Sequence, residues 1–70
     1  MNISLTQTIH LAESAVKFSN DTKILQRAFK AVEYYLFQVY SNEYLKSKYS
    51  LVLSYFARKL ESKLMGLAHD

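Results

Sequence analysis

Apolar residues recur along this chain at intervals of three and four, in three runs separated by short polar interruptions. At about 100° per residue, that spacing gathers apolar side chains on one side of an α-helix. In residues 4–18 the apolar set is Leu5, Ile9, Leu11, Ala12, Ala15, Val16 and Phe18. Thr6, Gln7, His10, Glu13, Ser14 and Lys17 fall opposite, and only Thr8 sits among the apolar side chains. Ser4 followed by Gln7 fits a capping box, in which each side chain satisfies an unpaired backbone N–H of the first turn. Glu13 and Lys17 form an i,i+4 pair in the favourable order.

Ser19-Asn20-Asp21-Thr22 is a run of four capping residues, which ends the first helix and starts the second, with Asn20 or Asp21 as N-cap. Beyond it Ile24, Leu25, Ala28, Phe29, Ala31, Val32, Tyr35, Leu36, Val39 and Tyr40 share half a turn, opposite Lys23, Gln26, Arg27, Lys30, Glu33 and Gln38. Ser41-Asn42 is a weaker interruption. It either caps a third helix near Glu43 or lies inside one long helix. The third stripe is Leu45, Tyr49, Val52, Leu53, Phe56, Leu60, Leu64 and Leu67, the stepping of a helix packed along a seam. Gly66, the sole glycine, stands where a C-terminal stop is expected, with a short frayed tail after it.

Three amphipathic segments each need a partner surface. The expectation is an all-α single domain over residues 1–70, with helices at about 4–18, 22–40 and 43–65. It is a small three-helix bundle or a helical hairpin with a long second or third helix, completed in the second case by dimerisation. Chains this short bury modest cores, and self-association is a common remedy. With no proline and one glycine, an all-β fold is excluded, and with no cysteine so are disulfides and thiolate metal sites. No apolar run is long enough to span a bilayer as a helix, and no Lys or Arg precedes Lys17 to make the basic start of a secretory signal. The expected setting is therefore soluble and cytoplasmic.

Two groups of residues break the seams. Tyr34 and Phe37 project among the charged positions of the second segment, following Lys23, Arg27 and Lys30 at helical spacing. On the third, Tyr44, Leu51 and Tyr55 form a stripe about a third of a turn from the seam, flanked by Lys48, Arg58 and Lys59. With Ser41-Asn42 helical, all five would share one face of a rod of ~40 residues, roughly 60 Å long. The ordinary reading makes them boundary residues, since single exposed apolar side chains are common. The sharper reading makes them a protein interface, because Tyr and Phe bring large contact area with few torsions to freeze. Eight of the ten aromatics fall between Tyr34 and Phe56, so the contact would centre there.

Little else carries chemistry. His10 and His69 sit at opposite ends, too few for a metal site of three or four ligands, and no two carboxylates lie within a turn. His10 and Ser14 share a face but lack an orienting acid and an oxyanion hole. No cofactor, metal, catalytic site or small-molecule substrate is expected. The net charge of +3 is a weak field, which tolerates an acidic partner without requiring one. The expected function is a non-enzymatic interaction module of the adaptor, cochaperone or inhibitor type. It would dock Tyr34, Phe37, Tyr44, Leu51 and Tyr55 against its own copy or a larger protein. The alternative is a small nucleic-acid-binding regulator using Lys23, Arg27, Lys30, Lys46, Lys48, Arg58 and Lys59. Against it, Arg, Asn and Gln, which read base edges best, are missing from the start of the third segment after Asn42.

Overall fold

Each helix begins where a side chain can take up an unpaired backbone N–H. The structure, a computed structural model, describes residues 3–68. Helix α1 spans Leu5–Phe18, α2 Thr22–Val39 and α3 Glu43–Ala68, with no strand among the described residues. Ser4 Oγ accepts from Gln7 N at 3.1 Å while Ser4 N donates to Gln7 Oε1 at 2.9 Å, so the expected capping box forms. Asp21 is the N-cap of α2, its Oδ1 accepting from Lys23 N at 2.9 Å. Asn42 Oδ1 accepts from Leu45 N at 3.1 Å, and Asn42 O from Lys46 N at 2.8 Å. Asn42 therefore caps α3, and the chain reverses at Tyr40–Asn42. The continuous-rod alternative is excluded, and the fold is a three-helix bundle.

The core draws on all three helices. Ala12 and Ala15 of α1, Leu25, Ala28, Ala31, Val32 and Val39 of α2, and Leu53, Phe56 and Leu60 of α3 are buried. Thr8, the polar intruder of the first stripe, is buried with its hydroxyl donating to Ser4 O at 2.9 Å, so no polar atom is stranded. Leu5, Ile9, Phe29, Tyr35, Leu36, Leu45, Tyr49, Val52, Leu64 and Leu67 pack half-buried around this cluster.

Both ends of α1 are fastened by side chains from the other helices. The Tyr35 hydroxyl donates to Ile3 O, just ahead of α1. At the far end Lys63 Nζ donates to Val16 O at 2.9 Å and Ser19 O at 2.7 Å, with Ala15 O at 3.5 Å. A cation at the C-terminal end of a helix meets both the free carbonyls and the negative pole of the helix dipole. Yet α1 is short. At about 1.5 Å per residue it reaches roughly 21 Å, against roughly 39 Å for α3. Along α3 burial thins toward the α2–α3 turn: the helix has no fully buried residue before Leu53, whereas on α2 Val39 beside the turn is buried.

Three local expectations are corrected. Gly66 does not stop α3, which continues to Ala68. Its φ is not positive, and Leu64 and Leu67 on either side pack against the core, which holds the last turn despite the glycine. Of the expected frayed tail, Leu67 and Ala68 are helical, and His69 and Asp70 lie outside the described residues. Phe18 and Ile24, assigned by period to the inner faces, are 81% and 43% exposed. They flank the α1–α2 turn.

Candidate functional site

The residues that broke the seams all lie on the surface, on two helices. Tyr34 and Phe37 are on the outward side of α2, 44% and 83% exposed. Tyr44, Leu51 and Tyr55 are on the outward side of α3, 69%, 82% and 47% exposed. Because the chain turns back at Asn42, the five do not form one face. The side of α2 turned toward α3 carries Phe29, Glu33 and Leu36, which line a shallow depression with Ala57, Arg58 and Glu61 of α3. By helical period Phe37 is turned about 70° from the mean direction of those α2 positions, and the Tyr44–Leu51–Tyr55 stripe about 90° from that of the α3 positions, although Phe37 comes within about 40° of Glu33 and Leu51 within about 20° of Arg58. They are two separate patches.

The α3 patch is organised by its lysines. Lys48 Nζ lies 5.6 Å from the centroid of the Tyr44 ring and 5.5 Å from that of Tyr49, and Lys59 Nζ 5.6 Å from that of Tyr55. Each is a cation–π contact at an exposed site. Lys48 Nζ also donates a long hydrogen bond, 3.5 Å, to the Tyr44 hydroxyl. That bond holds the Lys48 pKa above its ordinary 10.5, and the negative charge of the Tyr44 and Tyr49 phenolates, once formed, acts the same way. Lys48 therefore stays charged throughout the physiological range. The Tyr55 ring meets Phe56 edge-on at 5.4 Å, which links the patch to the core beneath it.

The basic residues divide likewise. Lys23, Arg27 and Lys30 follow one another along the outward side of α2 and, with Ile3, Gln26 and Ala31, line an open depression of about 400 Å³. Lys30 also borders a second one, of about 440 Å³, with Glu33, Tyr34, Phe37 and Gln38. Lys46 is half-buried, its Nζ 5.3 Å from the Tyr40 ring centroid. Arg58 and Lys59 are exposed. The ion pair among the described residues is Glu13–Lys17, at 3.9 Å on an open surface and of little energetic weight.

One feature escaped the periodicity. On the α2–α3 seam, shallow depressions that share Phe29, Glu33, Leu36 and Glu61 run end to end, from Thr22 and Ala68 to Tyr40. Phe29, Leu36 and Leu64 read as core in the sequence, and here they form the half-exposed floor of a groove. The seam pattern gives each helix an apolar side, but not which part of it lacks a covering neighbour. Among the described residues no group of three or more His, Asp or Glu could hold a metal, and His10 and Ser14 are both exposed. No described helix is long and apolar enough to cross a membrane. Compared with protein-family models, curated proteins and solved structures, the chain matches none.

Proposed function

We propose that this protein is a non-enzymatic helical interaction module that docks the outward face of α3 against a helix of another protein molecule. The observation that carries the reading is the exposure of Tyr44, Leu51 and Tyr55 along one line of the longest helix. Large apolar side chains at that spacing are the anchors of helix-on-helix recognition. They sit on a rigid helix whose other side is anchored in the core, so little order is lost on docking. The driving force is apolar burial, with Tyr hydroxyls and Lys ammonium groups left at the rim. Tyr34 and Phe37 on α2 offer a second contact on another side of the bundle.

The test is photo-cross-linking with benzoylphenylalanine in place of Leu51, in the cells that make the chain. The reading expects a protein adduct, whether with the chain itself or with another protein, that is lost when Tyr44→Asp and Tyr55→Asp are added. Adducts to nucleic acid, or none, overturn it.

A nucleic-acid-binding reading draws on a different observation, the run of Lys23, Arg27 and Lys30 leading into the Tyr34 and Phe37 rings. Phosphates would follow the bases and nucleobases would stack on the rings. It requires an affinity for a labelled single strand that falls steeply with salt and is abolished by Arg27→Glu with Lys30→Glu. The α3-face reading requires neither.

A further inference from the structure

Along the outward face of α3 the order of side chains is Tyr44, Lys48, Leu51, Tyr55, Lys59. Read from the opposite direction, rings and ammonium groups exchange places. Tyr44 and Lys59 are equidistant from the midpoint between Leu51 and Val52, and so are Lys48 and Tyr55. We propose that this face docks a second copy of the chain, with the two α3 helices antiparallel about a two-fold axis at that midpoint. The proposal rests on the α3-face reading above and names its partner.

In that register each ring meets an ammonium group. Within one chain, Lys48 lies beside Tyr44 and Lys59 beside Tyr55, both at 5.6 Å from the ring centroid. Across the axis, Lys48 meets Tyr55 of the second copy, and Tyr44 meets Lys59 of the second copy. The four groups close into a ring in which cation and aromatic alternate, and the two-fold axis generates a second such ring. Leu51 of each copy packs against the other between them. Such a self-complementary patch is what a two-fold contact requires. A foreign helix would have to carry the reverse order of rings and bases, which a second copy brings of itself. No carboxylate shares the face, since Glu43 and Glu61 lie about 100° away around the helix.

The contact is small. Given their exposure, Tyr44, Leu51 and Tyr55 offer roughly 400 Å² per copy, with lysine stems adding to it, against ~800 Å² per partner in a standard interface. The dimer is accordingly weak and dynamic. It also brings together like charges, so added salt tightens it.

Single-cysteine variants test the register, because the chain has no cysteine of its own. Under mild oxidation Leu51→Cys should form a disulfide dimer well above the background set by Phe18→Cys, which is as exposed but on α1. Tyr44→Cys should not pair with itself, since its two copies lie roughly 22 Å apart along the axis, beyond the ~7 Å that a disulfide spans. Mixed with Lys59→Cys, it should give the cross-linked heterodimer. Self-pairing of Tyr44→Cys at the level of Leu51→Cys would mean a parallel dimer and overturn the proposal. So would background pairing of Leu51→Cys. In that event a photo-adduct at position 51 with a different protein would leave the docking face standing and remove only the second copy.

Discussion

Two consecutive stretches of α3 are similarly apolar and have different fates. From Leu53 to Leu60 the helix buries Leu53, Phe56 and Leu60. From Glu43 to Val52 its inward seam residues are Leu45, Tyr49 and Val52, and none is fully buried. Local hydrophobicity does not explain the contrast, and the supply of neighbouring helix surface does. The first helix is just over half the length of α3 and is tied down at Ile3 and Ser19, so three helices enclose the middle of the bundle more fully than the hairpin end. A residue's burial here depends on how many helices reach its level as well as on which way it points.

Neighbouring positions on α3 sharpen that contrast most. Leu53→Ala should destabilise the fold by ~2–5 kcal/mol through lost burial and the cavity left behind. Leu51→Ala, two residues earlier, should stay within about 0.5 kcal/mol. Urea titrations followed by helical circular dichroism compare the two, and equal losses would refute the division of α3. A domain of this size has ~4–10 kcal/mol in total, so the first variant is near the edge of folding at 37 °C.

Next in size is the fastening of α1. Lys63→Met keeps the apolar stem and removes the donor to Ala15, Val16 and Ser19 carbonyls. The expected loss is about 1.5–3 kcal/mol, the range for hydrogen bonds to a charged group. Tyr35→Phe, which removes the bond to Ile3 O, should cost about 1 kcal/mol. In both variants hydrogen exchange should quicken in α1 more than near the α2–α3 turn. Uniform quickening would mean that α1 does not act as a separable cover.

Smaller effects follow at the ends of α3. A Cβ on Gly66 meets nothing within 4 Å, so Gly66→Ala should stabilise by about 0.5 kcal/mol through helix propensity alone, read as a rise in Tm. At the other end, the raised pKa of Lys48 implies a contribution present below 10.5 and lost as pH rises through the higher folded value. Tyr44→Phe should bring the Lys48 titration, followed by NMR at its Cε, back toward 10.5. No change would show that the Tyr44 hydroxyl is not its cause.

Much of the fold was legible from period and caps. Ser4 with Gln7, and Asp21, mark helix starts because their side chains answer a local need of the backbone, and local needs are written locally. The break at Asn42 was ambiguous for the same reason: a two-residue interruption can be carried by a long helix, and it took the packing of α2 against α3 to decide. That decision split the candidate face into two patches. Lys63 left a readable trace, a charge within an apolar seam, although its carbonyl partners lie far away in sequence. Phe18, Ile24 and the α2–α3 groove left none, because their exposure depends on how the helices pack against one another.

Sedimentation equilibrium of the 70-residue chain, from 10 µM to several hundred micromolar at low and high salt, tests the central claim most directly. The account predicts a mass that climbs from 8.2 kDa toward twice that value, more steeply at high salt, and that stays at 8.2 kDa for Leu51→Asp. A wild-type mass of 8.2 kDa throughout, or a climb that Leu51→Asp leaves intact, would contradict it.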